Sequence, residues 1–130
     1  MAYEASQPLK LTLKASVDMS AKQYTFVYVN SSGTASLCTQ ATDIPIGVLQ
    51  NKPYTNGSAE IVVTGVTKVY ADEALDEGNL IGTSTDGQAA VRAAGTDTTS
   101  YIVGQVIYPA GAAGRVATAV INCASPSRGA

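Results

Sequence analysis

The sequence predicts a mainly β protein, a compact β-barrel or sandwich of short antiparallel strands, and three features point there. Val, Ile, Thr, Ala and Gly outweigh Leu, Glu and Lys, a balance that suits half-buried strands better than helices. Short apolar runs alternate with Asn-, Ser- and Gly-rich turn signals. The second half of the chain reuses the pattern of the first. At 130 residues and 13.3 kDa the chain has the size of one domain, large enough to bury roughly two-thirds of the surface its unfolded form exposes.

In chain order, Leu9, Leu11 and Leu13 alternate with Lys10, Thr12 and Lys14, the period-two signature of an extended segment with one apolar edge. With Pro8 and the polar start, residues 1–18 read as an extended N-terminal arm on a single β domain, 19–130. Ordering each arm residue costs roughly 1–2 kcal/mol of backbone entropy, and burying a leucine returns about 1.5–3 kcal/mol. Three leucines cannot offset that cost alone, so the arm needs a partner strand to pair with. Because most of the apolar pattern lies downstream, the core is expected to fold without residues 1–14.

"QYTFVYV" (residues 23–29) reads as a strand closed by the turn Asn30-Ser31-Ser32-Gly33, and residues 35–39 as its return. "IPIGVLQ" (44–50) is an apolar run between Pro45 and Pro53 with Gly47 at its centre. Asn56-Gly57 signals a hairpin. "AEIVVTGVTKVYA" (59–71) follows as a strand kinked or bulged at Gly65. The acidic "DEALDEG" (72–78) reads as at most one or two helical turns closed by glycine.

From Leu80 the pattern begins again. "LIGTSTDGQAAV" has the form of "FVYVNSSGTASL", and "YIVGQVIYPAGAAGRVATAVIN" that of "IPIGVLQNKPYTNGSAEIVVTG". Gly47 and Gly104 lie 57 positions apart, as do Gly57 and Gly114, and Gly33 and Gly87 lie 54 apart. Two related β units, about 22–71 and 78–122, explain these spacings. A glycine required twice by the architecture marks a turn, a bend or a close strand approach rather than a catalytic centre.

Composition excludes several functions. The formal charge is -2, from eight basic and ten acidic residues without a clustered basic face, so nucleic acid is not the expected partner. No run reaches the roughly 18 apolar residues of a membrane span, and no signal-peptide pattern opens the chain, so no membrane partner and cytoplasmic synthesis are expected. The absence of histidine removes the usual neutral-pH general base and the commonest metal ligand. Cys38 and Cys123 read as buried thiols, with a bridge between them left open. Asp72, Glu73, Asp76 and Glu77 are the best acidic cluster, but their spacing is that of a solvated turn rather than a calcium loop. Tyr24, Tyr28 and Tyr101 sit in apolar strands, whereas Tyr3, Tyr54 and Tyr108 are candidate exposed contacts for a glycan or host surface. No catalytic residue, metal ligand or cofactor is expected.

"SAKQY" (20–24), "DIPIGVLQNKP" (43–53), "GVTKV" (65–69), "GTDTTSYIVGQ" (95–105) and the tail "NCASPSRGA" (122–130), taken in this order, resemble the capsid cement, or head decoration, proteins of tailed bacteriophages. "GVLQNKP" is the most distinctive. The resemblance implies a small β-rich virion protein, made in the host bacterial cytoplasm. It would bind the outer face of the major capsid protein lattice as a homotrimer and reinforce the head mechanically, with no reaction catalysed. It also implies that the arm, through Pro8, Leu9, Leu11 and Leu13, contacts the shell. The other reading that the residues allow is a surface-displayed β module that binds glycans or a host surface.

Overall fold

The computed structural model describes residues 8–130; Tyr3 and the first seven residues of the expected arm lie outside them. The described chain is all β, without a helix: β1 (Leu9–Lys14), β2 (Phe26–Val29), β3 (Ala35–Leu37), β4 (Gly47–Leu49), β5 (Ser58–Tyr70), β6 (Leu80–Thr83), β7 (Ala89–Val91), β8 (Tyr101–Ile102), β9 (Gly104–Tyr108), β10 (Val116–Asn122) and β11 (Ser127–Arg128). Nine strands form one antiparallel sheet in the order β3-β2-β4-β5-β10-β9-β6-β7, with β1 also on β5, and the sheet curls into a half-barrel. The C-terminal tail folds back as β11 against β8, pairing Ser127 with Ile102 and Arg128 with Tyr101.

The strand order reads the same from either end, and the pairing register explains why. In β2–β3, Val27, Tyr28 and Val29 face Leu37, Ser36 and Ala35; in β6–β7, Ile81, Gly82 and Thr83 face Val91, Ala90 and Ala89, each 54 positions on. Phe26 pairs with Val48 and Val27 with Gly47, just as Leu80 pairs with Gln105 and Ile81 with Gly104. Both hairpin turns are held by one side chain in the same way. Asn30 Oδ1 accepts the backbone N–H groups of Ser32 and Thr34 at 3.0 and 3.1 Å, and Ser84 Oγ accepts those of Asp86 and Gln88 at 3.1 and 3.2 Å.

The segment expected to be a free arm is the first strand of the first unit. β1 pairs along β5 from Leu9 opposite Thr64 to Lys14 opposite Ser58, with a bulge between Leu9 and Lys10. The continuation of β5 pairs with β10 in matching fashion, from Thr64 opposite Asn122 to Tyr70 opposite Val116. Lys14 to Ser58 thus corresponds to Tyr70 to Val116. The bridges Ala15–Ala35 and Ala71–Ala89 correspond likewise. The partner strand that three leucines required is supplied by the chain itself, and Ala15 and Met19 just beyond are fully buried. The repeating units therefore meet within β5 near Gly65, and the first begins at β1 rather than near residue 22.

Two further expectations change. Gly57 is not the counterpart of Gly114. The positive backbone φ falls at Asn56 (67°) and Gly114 (83°), and the N–H of each donates to the matching carbonyl, Ala15 and Ala71. One extra residue between Ala110 and Gly114 shifts the spacing there from 57 to 58, so that Gly57 corresponds to Arg115, each accepting the N–H of the matching Ala15 or Ala71. The acidic 72–78 segment forms bends and a turn rather than helix. It is a strand connection pinned by buried Leu75, whose N–H and C=O both bond to Ala110. Met19 pins the matching connection through Pro53.

The buried apolar residues form two clusters, one within the first unit and one shared between the units. Met19, Val27, Ala35, Leu49 and Ile61 form one cluster with Leu11, Leu13 and Leu37 packed on it. Their counterparts Leu75, Ile81, Ala89, Val106 and Ala119 lie in the second, larger cluster. That cluster is larger because it also takes in Phe26, Val48 and Val62 from the reverse face of the first unit.

Candidate interaction surface

The glycines singled out by recurrence sit at backbone positions, not in a pocket. Gly33 and Gly87 occupy the two hairpin turns with the same φ of 77°. Gly47 and Gly104 lie where two strands approach closely. A Cβ at Gly47 would collide with the Val62 carbonyl and with Ile61 Cγ2 at 2.5 Å, and one at Gly104 would lie 2.7 Å from the Val120 carbonyl oxygen. Only a residue without a side chain lets these strands pair, so both glycines are architectural.

Among the described residues no group of three or more Cys, Asp or Glu side chains gathers where a metal ion could sit. Asp72, Asp76 and Glu77 spread along an extended connection, Asp76 donating its N–H to Asn79 Oδ1 at 2.8 Å. Glu73 is drawn away from them, its carboxylate accepting the Val91 N–H. Cys38 and Cys123 are free and buried. Burial pushes both thiols up to about 12, with the charge of Asp43 adding to the shift at Cys38. Neither is a nucleophile at neutral pH.

Of the four arm residues expected to meet a partner, Leu11 and Leu13 are turned onto the first unit's core. Pro8 lies against Gly65, and only Leu9 is exposed. Tyr24, Tyr28 and Tyr101 pack on the larger core. Tyr54 and Tyr108 are largely exposed, as sequence reading expected. Tyr24 also has a φ of 67°, which costs a non-glycine residue of order 1 kcal/mol. Its counterpart is Gly78 at 85°, and in both the N–H reaches the next strand, at Leu49 and Val106. A groove of about 310 Å³ lined by Gln23, Tyr24, Lys52, Tyr70 and Val116 opens beside it, with the Lys68 ammonium 5.8 Å from the Tyr24 ring centre.

What sequence reading missed is a row of side chains on the outer face of the second unit. Leu80, Gln105 and Val120 stand side by side across β6, β9 and β10. They border a shallow groove of about 210 Å³ that continues over Ile102, Asn122 and Ser125. The repeat itself held the signal, since the same row in the first unit reads Phe26, Val48 and Val62.

No protein-family model matches the chain, and no curated protein matches it. Among solved structures it is similar to the N base of the head fiber gp8.5 in bacteriophage phi29, with a TM-score of 0.66 at 17% sequence identity, over 94% of this chain and 98% of that one. At that identity the likeness is one of fold, and it extends over both units.

Proposed function

We propose that the chain is a structural protein of a tailed-phage head, bound to the outer face of the major capsid protein lattice as a cement or decoration protein. The observation that carries this reading is the fold. The half-barrel of paired units is shared, almost end to end, with a protein described as the base of a phage head fiber. The cement-like motifs, "GVLQNKP" above all, point the same way, and here they include the close-packed Gly47.

The reading assigns no reaction to the chain. A molecule without histidine, whose thiols are held protonated and whose acidic side chains diverge, is suited to passive binding. A cement gains strength when several moderate contacts act together, each raising the effective concentration of the next, and a trimer of copies on one lattice position would supply them. With Leu11 and Leu13 committed to the core, the shell contact falls to exposed side chains such as Leu9.

The experiment is to add the purified chain to phage heads that lack it and to image the washed particles. Ordered copies on the outer surface, with heads more resistant to heat, support the proposal. Heads that remain bare oppose it. The exposure of Tyr54 and Tyr108 favours a second reading, a glycan- or host-surface-binding module. Glycan binding that disappears with Tyr54→Ala would select that reading instead.

A further inference from the structure

The two units of the chain do not merely repeat; they pack front to back, and the packing leaves one half-interface open at each end. The β6–β7 turn of the second unit docks on the first unit's reverse face. The Phe26 N–H donates to the Gly87 carbonyl at 2.6 Å, and a Cβ at Gly87 would lie 3.1 Å from the Phe26 carbonyl oxygen. This docking buries Thr83 to 1% exposure at the tip and Phe26, Val48 and Val62 to 2% or less beneath.

The corresponding residues at the other two ends are uncovered. Val29, the counterpart of Thr83, is 45% exposed, and a Cβ on Gly33 would meet nothing within 4 Å. Leu80 and Val120, the counterparts of Phe26 and Val62, are 37% and 42% exposed beside the 210 Å³ groove. Among the described residues, Leu80 receives no turn carbonyl of the kind that Phe26 receives. Exposed apolar side chains thus stand at positions whose counterparts the internal interface buries. Hydrophobic surface at both halves of one docking geometry marks an interaction site rather than scatter.

We infer that a second copy of this chain completes the pattern: the β2–β3 turn of one copy, with Val29 and Gly33, seats on the Leu80–Gln105–Val120 face of the next. The contact is head-to-tail, so it uses two different patches and leaves each copy free to bind another on either side. Such contacts close into a ring or run on as a filament according to the rotation they impose. Gln105 stands where the internal interface has Val48, and the patch is small, so a single contact is weaker than the internal one. Copies held side by side would gain from several at once. This inference does not rest on where the chain is displayed and is tested without phage heads.

The test places thiols on the two patches. The native thiols are buried and protonated, so a short bis-maleimide reacts with introduced cysteines. In the double variant Val29→Cys/Leu80→Cys, concentrated protein should give covalent species beyond the dimer, and an equimolar mixture of the single variants should give dimers. Each single variant alone should stay monomeric. Adding Val120→Asp, whose thermal unfolding should match the parent's because the side chain is exposed, should cut the cross-linked fraction at least fivefold. The inference is overturned if the double variant and the mixture react no more than a Thr55→Cys/Glu77→Cys control. It is equally overturned if either single variant cross-links to itself as readily as the mixture does, or if Val120→Asp changes nothing.

Discussion

Gly47 lies against the Val62 carbonyl so closely that no side chain fits between them, and 57 positions later Gly104 stands in the same relation to Val120. The obstructing atoms are backbone, which cannot swing aside. Gly47→Ala should therefore lower stability by about 2–4 kcal/mol, in the range of overpacking combined with a lost strand pairing. Gly104→Ala, whose methyl group would meet the Val120 carbonyl oxygen at 2.7 Å, a less severe overlap than the one with Val62 at Gly47, should cost less. Chemical denaturation of the two variants checks the order; equal and negligible effects would show that the strands separate easily there.

Gly33 and Gly87 share a φ of 77° but not their surroundings. Gly33→Ala should cost only the backbone strain, about 1 kcal/mol. Gly87→Ala should cost that and more, since the methyl group would press on the Phe26 and Cys38 carbonyls at 3.1 and 3.4 Å. The difference in unfolding free energy between the variants measures how firmly the second unit is seated on the first.

Removing residues 1–14 should unfold the chain rather than trim an appendage. The deletion takes away β1, its pairing with β5, and the Leu11 and Leu13 side chains that cover the first core. Leu11→Ala and Leu13→Ala alone should each cost about 1–3 kcal/mol, at the lower end for half-buried sites. Circular dichroism of the truncated chain decides between loss of the β signal and its retention.

How much of this was legible in the sequence depended on the reach of each signal. The hairpins at Asn30–Gly33 and Asp86–Gly87 were readable because turn chemistry is local. The architectural role of Gly47 was readable because Gly104 repeats it. The place of Leu9–Lys14 was not, since its partner, Ser58–Thr64, lies about 50 residues away and alternation does not say what a strand pairs with. The Asn56–Gly114 match was hidden by one inserted residue, and the extended course of 72–78 by the need to anchor Leu75, which local helix propensity does not register. The Leu80–Gln105–Val120 surface was not legible, because whether that row is covered depends on what docks against it, which no local pattern encodes.

Burial raises the Cys38 and Cys123 thiols from 9.0 to about 12. A raised folded-state value means that the native chain holds these protons more tightly than the unfolded chain does. Their contribution to stability is complete below about pH 9 and is lost as pH climbs toward 12. Cys38→Ala/Cys123→Ala, though less stable at pH 7, should lose less stability than the parent between pH 8.5 and 10.5, on the order of 2 kcal/mol less for each thiol removed. Parallel denaturation curves across that range provide the check, and identical slopes would mean that the thiols ionise freely in the fold.

The central claim is that this half-barrel acts by occupying a phage head. Electron microscopy of heads before and after addition of the purified chain tests it most directly. The account predicts new density on the outer surface, repeating with the capsid lattice and fitted by the curled sheet with its tail hairpin. Heads that stay bare after exposure to folded protein at saturating concentration would contradict it.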